Sequence, residues 1–128
     1  MIKTHGSEFL NKLFRTGALV AACAITAGLF YFGAQPEAVG LFKPPIDKLA
    51  HFGLFFVLAS LFWLALAGRW PLQLVGFVTL LGALDEWRQA YLPGRSMDGA
   101  DLLTDFVAVC CAVLLLVWMR RRVGRGGT

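Results

Sequence analysis

Long stretches of this chain carry no charge, and those stretches mark its elements. No charged residue lies between Arg15 and Glu37, where the apolar body runs from Gly17 to Phe32. A second apolar run, from about Leu49 to Ala67, contains one ionisable residue, His51, near its start. A third lies between Arg69 and Asp85 and opens on Trp70-Pro71, and proline suits a first helical turn. A fourth runs from about Asp101 to Met119 and stops at Arg120-Arg121-Arg122. A bilayer core about 30 Å thick is crossed by about 20 helical residues. The pattern therefore predicts four membrane helices, at about 16–34, 49–67, 70–90 and 98–119, within one domain over 1–128. The predicted fold class is all-α, an integral membrane four-helix bundle. Lys12 and Arg15 would suit the lead of a signal peptide, but Phe32-Gly33-Ala34-Gln35 offers no small-x-small cleavage site, so the first segment is expected to stay as an anchor.

Composition agrees with this reading. Of the 128 residues, 58% are hydrophobic and 16% charged, with a mean hydropathy of +0.67. Soluble domains carry roughly 25% charged residues, and disorder needs low hydrophobicity, so both classes are excluded. Cys23, Cys110 and Cys111 all fall in apolar stretches without metal-ligand spacing and read as small hydrophobes.

Charge then orients the bundle. With four spans, one side holds Lys3, Lys12, Arg15, Arg69, Arg120, Arg121, Arg122 and Arg125 against Glu8, a balance of +7. The other holds Lys43, Lys48, Arg88 and Arg95 against Glu37, Asp47, Asp85, Glu86, Asp98, Asp101 and Asp105, a balance of −3. Positive residues favour the cytoplasm, so both termini are expected there and the polar cluster on the outer side. Trp70 and Trp118 would then sit at the inner interface and Trp87 at the outer one, as an aromatic belt requires. The basic tail reads as a contact for anionic lipid, not for nucleic acid. Gly17/Ala21 and Ala24/Gly28 are small-xxx-small pairs suited to close helix packing.

Three polar clusters converge on the outer side. Asp47 and His51, four apart, share a face entering the second helix, with Lys48 between them. Asp85, Glu86, Arg88 and Gln89 leave the third, and Asp85 and Gln89 share a face there. Arg95, Ser96, Asp98, Asp101 and Asp105 lead into the fourth, where the three aspartates form one stripe and Ser96 or Asp98 is placed to supply the N-cap. Only 15 residues separate Arg69 from Asp85 and 14 separate Asp105 from Arg120, about 22 and 21 Å of helix at 1.5 Å per residue. Neither reaches across about 30 Å, so Asp85, Glu86 and Asp105 fall below the interface. A charge at the bilayer centre costs about 2.5–3.5 kcal/mol on insertion scales. Such groups are expected to face inward, pair with Lys48, Arg88 or Arg95, share protons, or meet a ligand in a polar pocket. The bland alternative is that these pairs only tie loops to helix ends, and for Arg88 alone a solvated or lipid-phosphate contact is expected.

These residues also carry a resemblance. Asp47-Lys48-x-x-His51-Phe52, then Asp85-Glu86-x-x-Gln89, then Pro93-Gly94-Arg95-Ser96-x-Asp98-x-x-Asp101-Leu102-x-x-Asp105 resemble the signature of VanZ-like membrane proteins, over about Asp47 to Leu116. The family often has Asn followed by glycines where this chain has Asp105, Ala108 and Ala112, which adds an acid to the site. The resemblance implies a multi-pass protein of the bacterial cytoplasmic membrane and cell envelope, whose namesake is associated with low-level resistance to teicoplanin, a lipid-tailed glycopeptide.

Three functions follow as expectations. The first is a binding protein whose ligand residues are Lys48, His51, Asp85, Glu86, Gln89, Arg95, Ser96, Asp98, Asp101 and Asp105. Its pocket would hold a polar headgroup, a cation or part of a lipid-linked cell-wall component, and its partners would be membrane lipids, such a component or a lipoglycopeptide, with Arg95, Lys48 and Arg88 contacting phosphate. The second is an enzyme at the membrane–water boundary, with His51 as general base or metal ligand oriented by Asp47, and Asp85, Glu86 and Asp101 as acid partners or ligands. Ser96 fits an N-cap better than a nucleophile, and no GxSxG, HExxH or phosphate loop is present. The third is transport, for which four helices leave little room. The sequence assigns no cofactor and no defined metal site.

Overall fold

The computed structural model of the protein describes residues 5–125; Lys3 lies outside the described residues. Those residues form four α-helices, α1 (His5–Phe32), α2 (Ile46–Ala65), α3 (Pro71–Gln89) and α4 (Gly99–Arg125), with one 3-10 turn at Pro36–Ala38 and no strand among them. Three of the four, α1, α2 and α4, are long and apolar enough to cross a membrane; α3 is not. Its last turns hold Asp85, Glu86 and Arg88, which limits its apolar length. α1 begins well before the expected residue 16 and α4 continues past 119. Charge ends a span but not a helix, because Lys and Arg are good helix formers whose stems reach toward water.

The helices run up and down. Arg15 of α1 donates to the Ala65 carbonyl at the end of α2 (3.0 Å), and Arg120 of α4 donates to the Gly68 carbonyl just beyond α2 (2.9 Å). α2 and α4 are therefore parallel and form the central pair, with α1 against α2 and α3 against both. Phe55, Leu58, Phe62 and Trp63 of α2, Leu74 and Val78 of α3, and Ala108, Val109, Ala112 and Val113 of α4 make the apolar core. On α1 the buried small residues are Ala18 and Ala22, not the expected Gly17/Ala21 and Ala24/Gly28. A Cβ at Gly17 would touch nothing, since the face that meets α2 lies one residue further round.

Outward faces are apolar as well. Leu13, Phe14, Val20, Val57, Leu64, Leu72, Leu80, Leu103 and Leu114 are exposed, far more apolar surface than a soluble monomer leaves in water. Trp70, Trp87 and Trp118 are also exposed, and the Arg122 guanidinium stands 5.2 Å over the Trp118 ring. This is an integral membrane protein.

Two junctions fix the packing. After α2, the Gly68 amide donates to the Trp63 carbonyl and the Ala67 amide to the Leu64 carbonyl, closing the helix with Ala67 left-handed at φ 54. Gly68 has φ +66, and a Cβ there would lie 2.8 Å from the Trp63 ring. Gly82 of α3 does the equivalent between helices: a Cβ would meet Asp105 Oδ2 at 2.9 Å and the Phe55 ring at 3.3 Å. Gly82→Ala is expected to lower stability in detergent by about 1–3 kcal/mol, the usual range for overpacking. Gly76→Ala, where a Cβ meets nothing, should cost none; equal melting temperatures for the two variants would refute this account of the α3–α4 contact.

Candidate functional site

The core-facing stripe of three helices changes character at one end of the bundle. Along α3, buried Leu74, Val78 and Gly82 give way at the same spacing to buried Asp85, Glu86 and Gln89. Along α4, Ala112, Val109 and Ala108 are preceded by buried Asp105 and Asp101. On α2, one turn before buried Phe55, come His51 and then Lys48, both partly buried. Helical period alone thus carries the polar residues inward, where each must find a partner.

They pair across helices. Lys48 Nζ bonds Asp98 Oδ2 at 2.7 Å and also Asp101 Oδ1, with Asp47 Oδ2 at 3.6 Å. His51 Nδ1 lies 2.9 Å from Asp105 Oδ1 and its Nε2 lies 3.7 Å from Asp101 Oδ2; with Asp105 ionised, Nδ1 is the donor. The His51 ring lies parallel to Phe55, centroids 6.4 Å apart. Glu86, fully buried, accepts the Asp98 amide at 2.8 Å. Asp85 accepts from Arg88 at 2.7 Å and from Gln89 at 2.8 Å, and Gln89 in turn accepts from Arg95 at 3.2 Å. Arg88 also donates to the Phe30 carbonyl and stands 4.9 Å over the Phe30 ring, tying α3 to the end of α1.

Beside this network lies a cleft of about 440 Å³. Asp47, His51, Asp85, Gln89, Arg95, Ser96, Asp98 and Asp101 line it, together with apolar residues that include Leu29, Phe32, Phe42 and Leu54. Lys48, Glu86 and Asp105 stand behind that lining. A wider groove at the opposite end, between α1 and the end of α2, holds Lys12 and Arg15 and none of the clustered aspartates.

Several single-residue expectations change. Asp47 does not orient His51: it accepts the Lys48 amide at the helix start, while Asp105 on the neighbouring helix reaches the ring. Arg88 is not left to solvent or lipid phosphate but is held by Asp85 and Phe30. The N-cap of α4 is Asp98, whose Oδ1 accepts the Ala100 amide at 2.8 Å; Ser96 is exposed on the cleft. The Lys48 ammonium holds the Asp98 carboxyl below the usual 3.8, aided by that amide. A carboxyl lowered on folding contributes its full stabilisation above the ordinary value and loses it only as pH falls through the lowered one. Gly82, Phe30 and Gly33 escaped the sequence reading. Gly33 leaves room for Arg88, whose Nη2 would lie 3.0 Å from a Cβ there, and its only signal is a small residue at a helix end.

Chemically, the site offers an oriented imidazole at a cleft and buried polar atoms with capacity to spare. Asp105 Oδ2, Arg88 Nε and Arg95 Nε have no partner among the described residues. The Asp85–Arg88 pair can be tested by a double-mutant cycle. Arg88→Met strands the Asp85 carboxylate, 2% exposed, and should cost about 3 kcal/mol. Asp85→Asn in the same chain should recover much of that loss, whereas simple additivity of the two would show that the pair carries no coupling.

The comparisons agree with the geometry. No curated protein and no solved structure matches the chain. The VanZ/LLP1 family matches residues 7–120, which takes in α2, α3, most of α1 and α4, and every residue of the polar network. That span is most of the chain, and the protein belongs to the VanZ/LLP1 family.

Proposed function

We propose that this protein is a lipid-headgroup binder of the bacterial cell envelope, working from the cleft at the polar end of its bundle. The observation that carries the reading is the mixed lining of the cleft: Leu29, Phe32, Phe42 and Leu54 together with Asp and His side chains and Arg95. An amphiphile has the same mixture. Lys48 and Arg88 are already held by carboxylates. Arg95 spends one guanidinium nitrogen on a neutral amide and so is the cation with donors left for phosphate. The aspartates of the lining suit hydroxyl or amino groups. The ligand class is therefore a phospholipid or lipid-linked cell-wall component whose headgroup bears sugar hydroxyls or an amine beyond its phosphate. A lipid-tailed glycopeptide acts on the same materials, which connects the reading to altered teicoplanin susceptibility. Transport is disfavoured by the apolar core of Phe55, Leu58, Phe62, Val78 and Val109 beneath the polar end.

Native mass spectrometry of protein extracted with its own lipids tests this. A retained lipid is expected, lost in Arg95→Ala while the protein stays folded, with stability lowered by no more than about 1 kcal/mol for the lost Gln89 bond. Equal retention in Arg95→Ala overturns the reading. One observation favours a second: the Asp105–His51 pair opening on the cleft is the arrangement of a general base. Turnover of a bound lipid that stops in His51→Ala would move the protein to the interface enzymes.

The orientation rests on charge. Arg15, Arg69, Arg120, Arg121, Arg122 and Arg125 lie at the end opposite the clustered aspartates, an excess of positive charge that supports a cytoplasmic side for both termini. A reporter that fluoresces only in the cytoplasm, fused after Thr128, should be bright; a dark fusion with an active periplasmic reporter would reverse the assignment.

A further inference from the structure

We infer that His51, Glu86 and Asp101 form a binding site for one divalent transition-metal ion at the inner wall of the cleft. One donor atom from each lies within 4.8 Å of the other two. Two ligands at about 2.0–2.2 Å from a tetrahedral zinc ion stand about 3.3–3.6 Å apart. His51 Nε2 and Asp101 Oδ2, at 3.7 Å, are nearly there, and the Glu86 carboxylate must close by up to about 1.5 Å, within reach of a side-chain rotation.

The second shell has the form such sites take. A ligating histidine commonly donates its other nitrogen to a carboxylate, which fixes the tautomer and turns the free nitrogen to the metal. Here His51 Nδ1 is on Asp105 at 2.9 Å, leaving Nε2 as the lone-pair atom, 3.7 Å from Asp101 Oδ2. That spacing is too long for a hydrogen bond and suits two ligands of one ion. Asp101 commits its other oxygen to Lys48.

Charge supplies an independent argument. The network holds six carboxyl groups, on Asp47, Asp85, Glu86, Asp98, Asp101 and Asp105, against the permanent cations Lys48, Arg88 and Arg95. Among the described residues Glu86 contacts no cation, only an amide N–H and the Gln89 side chain, and it is fully buried. Asp105 is fully buried too, and its Oδ2 has no partner. Carboxylates so placed persist by protonation or by holding a cation. A nitrogen ligand with two carboxylates selects Zn²⁺ or its first-row neighbours over Mg²⁺ and Ca²⁺. His51 and Asp101 line the cleft, so a fourth position on the ion would face it, as in zinc sites that keep one open.

The test uses the full chain in detergent, stripped with a chelator, reloaded with Zn²⁺ and desalted. No lipid is added, so the outcome is separate from that for the headgroup. Metal analysis should find one Zn²⁺ per chain, absent after desalting in His51→Ala and Glu86→Gln and present in Ser96→Ala. Asp105→Asn, which alters only the group behind His51, should weaken binding about 10–100-fold. No retained ion in wild type, or the same content in His51→Ala and Glu86→Gln, overturns the assignment. Should those variants fail to fold, wild type decides alone. Zn²⁺ should shield His51 from diethylpyrocarbonate while His5, the other histidine of the chain, reacts as before; equal reactivity of His51 with and without Zn²⁺ overturns the site.

Discussion

A carboxylate taken out of water must be given a donor, a cation or a proton, and the polar end of this bundle is organised by that requirement. Asp85, Glu86, Asp101 and Asp105 are all buried on the faces that elsewhere carry Leu, Val and Ala. Because the partners come from other elements, the requirement also joins the helices. Lys48 draws the start of α2 to the start of α4, Arg88 draws the end of α3 to the end of α1, and the Asp98 amide fastens the loop to Glu86. Hydrophobic burial gives little direction to helices in lipid, where the surroundings are as apolar as the side chains. Polar pairing and close approach at Gly82 supply the register instead.

The same network divides the charges into two kinds. Lys48 and Arg88 are spent on structure, each shared between groups that would otherwise be stranded. Arg95 and His51 stand at the cleft with a bonded side and an open side. Such a division places reactive or binding capacity on a scaffold whose other charges are already neutralised, so the site is held in position by interactions that do not involve the ligand.

Much of this was legible in the sequence, for identifiable reasons. Four helices follow from where charge is absent, and the shortness of the runs before Asp85 and after Asp105 correctly put those acids inside the protein. The Asp85–Gln89 bond follows from a four-residue spacing. Helix ends were not legible, since Arg15 and Arg120 to Arg122 continue the helices they were taken to bound. Partner choice was not legible either. Spacing along one helix offered Asp47 to His51, but Asp105 on another helix reaches the ring, and no single-sequence pattern encodes the distance between α2 and α4. Nor did Gly82 stand out among 14 glycines, although it lets α3 approach the carboxylate of Asp105. The motif blocks marked the right neighbourhood; only the fold assigned the pairs.

α3 has a consequence for how the protein is made. It is the helix whose composition does not suffice for a membrane span, yet it packs along α2 and α4 with its acidic end among theirs. A translocon weighing each segment by hydropathy as it emerges would hold α2 and release α3. Asp85 finds Arg88 and Gln89 within α3 itself, but Glu86 and Gln89 meet the Asp98 amide and Arg95 only after those residues have been made, so α3 is expected to seat fully only once α4 has emerged.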